Sequence, residues 1–165
     1  NFTAPPLVID DASFSYGREN VFRNLSLAVK KGETVTITGR TGSGKVLFKL
    51  ILGLYTPQEG SIRVFGCEPS RLAPSLRRQV FGYVEQQFHD VAGTIEDQVT
   101  LKTRAPKGAV EKALRLVGLW DLCTALPEGL HTPFRQEYFS RGQLQLLSIA
   151  RAVVMNPQVL LLDEI

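Results

Sequence analysis

Long apolar runs are missing from this sequence of 165 residues. The best candidates, residues 46–54 and 159–162, are interrupted or short, and a membrane-spanning helix needs roughly 18 apolar residues. The N-terminal residues also lack the basic start and apolar stretch of a signal peptide. We therefore expect no membrane span within this sequence, and any role at a membrane would depend on a partner.

The sequence also has few cysteines and a small net charge. Cys67 and Cys123 fit no metal-ligand spacing and are too few for a disulfide framework, so we expect both to behave as ordinary small apolar residues. Such low cysteine usage is typical of a reducing compartment. Nineteen Lys and Arg face 16 Asp and Glu, a net charge of +3, and the basic residues are scattered. The sequence therefore predicts no nucleic-acid partner.

The sequence does contain enough apolar residues, 44%, for one core, and its length is close to the ~150 residues of a typical domain. We therefore expect a single domain over residues 1–165. Residues 7–9, 14–16 and 21–29 read as β-strands, with a turn at residues 17–20. Residues 34–38 alternate apolar and polar side chains and predict a further strand that runs into a glycine-rich loop. After that loop, a helix is predicted from the apolar spacing of Leu47, Leu50, Ile51 and Leu54.

The second half of the sequence adds strands and a helical region. Strands are predicted at residues 61–65 and 80–84, and helices and loops at residues 93–137. A helix over residues 143–155 stops at Asn156-Pro157, and the apolar run that follows is typical of a strand buried on both faces. The order predicts an α/β fold with an antiparallel β start, a mainly parallel central sheet and a helical insert at about residues 87–140.

The glycine-rich loop is a candidate phosphate site. Between a strand and a helix, Gly39, Gly42 and Gly44 would let backbone N–H groups wrap around phosphates, and Lys45 would reach them as a point charge. In a P-loop the next residue is Ser or Thr, whose hydroxyl ligates Mg²⁺. Here it is Val46, which offers no oxygen. We expect nucleotide binding to survive and metal positioning to suffer.

Two acidic residues follow the last predicted strand. Asp163 and Glu164 lie where ligands bind in open α/β sheets, outside the carboxyl ends of the strands. In a P-loop protein, an Asp here holds Mg²⁺ and an adjacent Glu polarises the attacking water. The alternative is a solvated pair of acids that ends a strand.

Four motifs occur in a fixed order: the loop 39–45, Gln86 within Tyr-Val-Glu-Gln, Phe-Ser-Arg-Gly-Gln at 139–143, and Leu-Leu-Leu-Asp-Glu at 160–164. In this order they resemble the Walker A loop, the Q-loop, the signature motif and the Walker B motif of ATP-binding cassette (ABC) ATPases. The resemblance covers residues 7–164. It implies a P-loop NTPase fold and an ATP-binding and ATP-hydrolysing domain that powers transport across a membrane.

The resemblance also implies roles for individual residues. It makes Glu164 and Gln86 catalytic, Asp163 and Gln86 metal ligands, and Tyr16 the aromatic that stacks on adenine. The implied cofactors are ATP and Mg²⁺. Residues implied in nucleotide binding, besides Tyr16, are Gly39, Thr41, Gly42, Ser43, Gly44, Lys45, Val46, Ser140, Gly142 and Gln143.

The family resemblance implies partners as well. One is a transmembrane domain or subunit, which would place the chain at the cytoplasmic face of the cell membrane. The other is a second nucleotide-binding domain, paired head to tail so that the signature motif meets the partner's ATP. Residues 93–95 and 126–130 resemble exporter-type domains. We expect Phe88, Val91 and Ile95 to be exposed as a docking site for the membrane partner; the alternative is that they pack inward.

The sequence departs from the family in two places. It lacks the Ser/Thr after Lys45 and is one residue short there, and it stops at Ile165, before the family's switch histidine. We therefore expect slow or no hydrolysis by this chain as given. One alternative function is a non-hydrolysing nucleotide-binding module that regulates or dimerises; another is an ABC protein of repair or translation.

Overall fold

A computed structural model of the chain describes residues 3–37 and 43–163, without the side chains of Ser43, Gly44 and Arg78. The chain divides into two compact units, Asn1–Arg77 and Arg78–Ile165. Each unit is built around its own β-sheet. No helix in the described part of the chain is both long and apolar enough to cross a bilayer.

The first unit contains a three-stranded antiparallel sheet. Its strands are β1 (Leu7–Tyr16), β2 (Glu19–Val29) and β3 (Glu59–Arg63), in the order β2-β1-β3. One face of β1 is apolar and buried, and the register shifts between Ile9 and Ala12, where Asp11 has a φ of 51°. The shift keeps Ile9 and Ala12 on the buried face although they are three residues apart. The predicted antiparallel start is confirmed.

Helix α1 (Ser43–Ile51) follows in the same unit, as its apolar spacing predicts. Its buried side chains, Val46, Leu47, Leu50 and Ile51, form one stripe. The helix ends at Ile51, two residues before Gly53, whose φ of 80° and close approach to the Pro69 backbone exclude a larger residue. A 3₁₀ turn (Pro69–Arg71) and helix α2 (Pro74–Val80) lead out of this region.

Two predictions for the first unit are wrong. Residues 34–37 form no strand, and Val35 and Ile37 are exposed; Thr38 lies outside the described residues. An alternating segment becomes a strand only through backbone pairing, and the described residues provide no ladder to it. Cys67 is exposed rather than buried as an apolar residue, because it closes a tight turn with Val64.

The second unit contains a parallel pair of strands, β4 (Phe81–Val84) and β5 (Val159–Leu162). Helix α6 (Arg141–Val153) packs on β4 at Gly82, where a Cβ atom would lie 2.5 Å from the carbonyl oxygen of Ala152. The strand predicted over 80–84 begins one residue later, because Val80 still belongs to α2. On β5, Leu161 is buried while Leu160 and Leu162 are exposed, so the predicted burial of both faces is wrong in this unit.

Between these strands lies a helical region. It comprises α3 (Ile95–Thr100), α4 (Ala109–Leu116), α5 (Trp120–Thr124) and 3₁₀ turns at Gly129–His131 and Gln136–Tyr138. Gly118, with a φ of 78°, stops α4 as predicted. The apolar core of this region is formed by Ile95, Val99, Ala113, Leu114, Leu119, Cys123, Phe139, Leu147, Ala150 and Val154.

Candidate functional site

The carboxyl ends of β4 and β5 form one edge of the second unit. Val84 pairs with Leu162, and the next residue, Asp163, donates its backbone N–H to the carbonyl oxygen of Val84 at 3.1 Å. Gln86 leaves the sheet from the same edge, two residues after Val84. The parallel ladder therefore carries a predicted catalytic residue and a predicted metal ligand to one side of the sheet.

The carboxylate of Asp163 is buried and has a defined partner. It is 6% exposed, and its Oδ2 accepts a hydrogen bond from the hydroxyl of Tyr83 at 3.1 Å. Burial, and then the neighbouring Asp163 carboxylate, raise the pKa of Tyr83 to about 12. Tyr83 therefore stays a neutral donor at physiological pH and holds Asp163 in place. No local sequence pattern indicates this pair, since the two residues are 80 positions apart.

The segment that follows Gln86 is folded inward. Ile95 is fully buried in the helical core, and the ring of Phe88 lies 5.8 Å from that of Phe134. The backbone N–H and carbonyl of Val91 both bond to the side-chain amide of Gln98. The prediction that Phe88, Val91 and Ile95 are all exposed is therefore wrong for Ile95, whereas Phe88 and Val91 are half-buried. Apolar side chains beside a helical core are stabilised by packing into it.

Arg151 of α6 binds the same segment. Its Nε donates to the carbonyl oxygen of Gln98 at 2.7 Å, and its Nη1 donates to the carbonyl oxygen of His89 at 2.8 Å. The guanidinium lies over the ring of Phe88, 4.5 Å from its centroid. Burial lowers the pKa of Arg151, and the charges of Glu85 and Asp90 oppose this effect. Sequence patterns gave no signal for this contact.

The signature-like residues 139–143 start helix α6. Ser140 is its N-cap: the Ser140 hydroxyl accepts from the Gln143 N–H at 3.1 Å, and the Gln143 side chain accepts from the Ser140 N–H at 2.8 Å. Phe139 is buried and stacks on Phe134 at 5.9 Å. Gly142 has open space where a Cβ would be, with Ser140 Oγ nearest at 4.0 Å. The helix begins at Arg141 and ends at Val153, two residues earlier at each end than predicted.

Only some of the predicted phosphate-loop residues lie within the described part of the chain. Gly39, Thr41 and Gly42 lie outside the described residues, as does Glu164 at the other candidate motif. The backbone of Ser43 and Gly44 lies in the first turn of α1.

The next two residues of α1 face in opposite directions. Lys45 is exposed, as a phosphate-binding cation must be, whereas Val46 is only 8% exposed and faces the core of its unit. Position 46 thus provides packing and no metal ligand.

Tyr16 ends β1 with an accessible ring, 46% exposed. It makes edge-to-face contacts with Phe14 at 5.3 Å and with Tyr55 at 6.0 Å. A hydrogen bond between the two hydroxyls raises the pKa of Tyr16 and lowers that of Tyr55, and the charge of Lys49, 5.3 Å from the Tyr55 ring, adds to the latter. No sequence pattern indicates that Tyr55 and Lys49 support this ring.

No group of three or more His, Cys, Asp or Glu side chains suited to hold a metal ion occurs within residues 3–37 and 43–163. Asp163 and Gln86 are the predicted metal ligands that these ranges include. They provide oxygen atoms of the kind that Mg²⁺ prefers, and they emerge from the same sheet edge.

Comparison with known proteins covers almost the whole chain. A family model described as "ABC transporter" matches residues 22–165. A "Probable ABC transporter ATP-binding/permease protein" of Haemophilus influenzae is 34% identical over 160 residues, which are 94% of this chain and 29% of that protein. A "Multidrug efflux ATP-binding/permease protein" of Mycobacterium bovis is 38% identical over 164 residues, 96% of this chain and 14% of that protein.

A solved structure has the same fold. It is titled "Structure of a bacterial Atm1-family ABC exporter with ATP bound", and it matches 99% of this chain and 30% of its own length with a TM-score of 0.84 and 28% identity. The chain spans less than a third of the length of each of these three proteins.

Proposed function

This chain belongs to the ABC transporter family, and from that premise we propose that it is the ATP-binding domain of an exporter-type transporter. In this proposal residues 1–165 belong to one nucleotide-binding domain with a helical subdomain at about residues 87–140. The observation that carries the proposal is the sheet edge where the β4–β5 ladder brings Asp163 and Gln86 to the same side.

Within the first unit, the proposed nucleotide contacts are an exposed cation, an accessible aromatic ring and glycine-rich backbone. Lys45 would contact the phosphates of ATP as an exposed cation, and Tyr16 would stack on adenine with its accessible ring. Glycine-rich backbone before α1 would supply N–H donors to the phosphates. The remaining proposed contacts in this loop are Gly39, Thr41, Gly42, Ser43, Gly44 and Val46.

The proposed chemistry is phosphoryl transfer from ATP to water. Glu164 would polarise the water and Gln86 would help to place it. Asp163 and Gln86 would hold Mg²⁺, which, when bound, neutralises charge on the phosphates. The Tyr83 hydroxyl orients Asp163 for this role, because the carboxylate oxygen it binds is fixed at 3.1 Å.

The proposed partners follow from family membership and from the relatives, which are named as ATP-binding/permease proteins. A transmembrane domain would hold the chain at the cytoplasmic face of a membrane. A second nucleotide-binding domain would face Ser140, Gly142 and Gln143, since the N-terminus of α6 attracts the phosphate of the partner's ATP.

The experiment is a titration of the purified full-length protein with a fluorescent ATP analogue. We expect Lys45→Ala to weaken binding at least tenfold, because one charge-assisted contact to phosphate contributes roughly 1.5–3 kcal/mol. Lys112→Ala is the matched control, since Lys112 is also an exposed helical lysine but lies on α4. Equal affinity of the wild type and Lys45→Ala would contradict the proposal.

A second function, a non-hydrolysing nucleotide-binding module, is favoured by one observation. Val46 occupies the metal-ligand position of the loop; its side chain contains no oxygen and is buried. Under this alternative ATP binds and closes the domain pair, but turnover does not follow. A steady-state ATPase measurement alongside the titration separates the two functions.

A further inference from the structure

We propose that Arg151 is a positioning residue that holds residues 88–98, here termed the post-strand segment, on helix α6, so that Gln86 and Ser140 are carried by one rigid piece. The contacts themselves depend only on the second unit. The inference rests on the proposed function for what Gln86 and Ser140 do.

The guanidinium of Arg151 reaches both ends of the post-strand segment. Nε donates to the carbonyl of Gln98 in helix α3, and Nη1 donates to the carbonyl of His89, nine residues earlier. Nη2 lies 3.5 Å from the side-chain oxygen of Gln98. Because these donors belong to one planar group, the distance between the two backbone carbonyls is fixed by the geometry of a single side chain.

The buried side chain of Gln98 adds hydrogen bonds within the post-strand segment. It is fully buried, and its amide nitrogen donates to the carbonyls of Val91 at 2.7 Å and Thr94 at 3.2 Å. Its amide oxygen accepts from the Val91 N–H at 2.9 Å. Backbone groups that would otherwise need solvent are thus satisfied by one side chain, and that side chain is itself bound to Arg151.

These contacts restrict the conformations available to the Gln86 loop, residues 85–87. At its start, Val84 is fixed in the β4–β5 ladder and bonded to the N–H of Asp163. At its end, Phe88 lies under the guanidinium and His89 is bonded to it. A loop of three residues with both ends held has little freedom. Movement of Gln86 must therefore move α6 as well, and Ser140 is the N-cap of that helix.

The test is amide hydrogen exchange by mass spectrometry on the full-length protein, with Arg151→Met and Arg151→Lys. In Arg151→Met we expect exchange in residues 87–98 to rise at least about tenfold, since two hydrogen bonds from a charged group are lost. Lys keeps the charge but can bond only one carbonyl at a time, so a smaller rise is expected.

The matched control is Arg115→Met. Arg115 also lies over an aromatic ring, that of Trp120 at 5.2 Å, and pairs with Glu111, but it does not bond to the post-strand segment. We expect no change in residues 87–98 in this variant. If Arg151→Met does not fold, Phe88→Leu tests the same contact by removing the ring beneath the guanidinium.

A second measurement distinguishes a positioning role of Arg151 from a general effect on the stability of the protein. With a non-hydrolysable ATP analogue bound, we expect protection to change together in residues 85–98 and 141–147 of the wild type, and to become independent in Arg151→Met. The proposal is overturned if both regions still respond together, or if exchange rises equally in α4. If the wild type binds no nucleotide, the proposed function fails, whereas the nucleotide-free comparison still decides whether Arg151 holds the segment.

Discussion

In the proposed function, one side chain, Val46, separates nucleotide binding from nucleotide turnover. Its two methyl groups add to the apolar stripe of α1, beside Leu47 and Leu50, so the residue has a structural role in the helix. Lys45, the neighbour that faces solvent, keeps its charge available. Binding therefore depends on a residue that is present, and metal positioning on one that is absent.

We predict that restoring hydroxyl side chains after Lys45 increases ATP turnover. Replacing Val46 with Ser-Thr adds one residue to α1, so the two new side chains lie about 100° apart on the helix and one of them can face away from the core. In the full-length protein this change should raise steady-state ATP turnover at least tenfold, because a hydroxyl ligand for Mg²⁺ returns and charge in the transition state is better stabilised. The same change combined with Glu164→Gln should show no turnover. A wild-type rate above ~1 s⁻¹ would contradict the prediction that Val46 limits hydrolysis.

At the level of the element, the N-terminus of α6 has two separable roles. Ser140 and Gln143 cap the helix reciprocally, and in the proposed function the same end attracts phosphate. A residue that caps the helix but carries a negative charge distinguishes the two roles.

We therefore predict different results for two substitutions of Ser140. Ser140→Ala removes the cap and should lower the free energy of unfolding by about 1 kcal/mol. Ser140→Asp keeps the cap, so its stability in urea should match that of the wild type, but it should weaken ATP-dependent pairing because two negative groups then face each other. If Ser140→Asp pairs as well as the wild type, phosphate does not approach this helix end.

The elements differ in how well the sequence predicts them. Helices α1, α4 and α6 follow from apolar spacing, which is a local property. The strand predicted over residues 34–38 and the exposure of Ile95 failed, because both depend on which distant residues pair with or cover the segment. The contacts of Arg151 with Gln98 bridge 53 positions, a separation that no local pattern encodes. The motifs therefore located the candidate residues, but not the side chains that support them.

At the scale of the whole molecule, the proposed function requires a membrane partner. Because Ile95 is fully buried and Phe88 packs against the helical core, we expect contact with that partner to use the exposed residues of the segment. Asp90 and Ala92 are exposed there and are suited to carry a crosslinker.

We predict that a single cysteine at Asp90 or Ala92, in native membranes, crosslinks to a membrane-spanning part of the same or another polypeptide. Cys67 is exposed and must first be replaced, whereas burial raises the pKa of the Cys123 thiol to about 11 and keeps it unreactive at pH 8. A cysteine at Leu116, 72% exposed on α4, is the control and should not crosslink. Capture of water-soluble proteins alone would favour the regulatory module.

The β4–β5 pair also sets the order in which this molecule can be assembled. Tyr83 and Asp163 meet across 80 positions of sequence, and helices α3 to α6 lie between them in the chain. Contacts of large sequence separation carry a high loop-closure entropy and form late in folding. During synthesis β5 leaves the ribosome after the whole helical region, so the edge that carries Gln86 and Asp163 is completed last. In the proposed function, a nascent chain therefore cannot engage Mg²⁺ and ATP at this edge before its helical region has been synthesised.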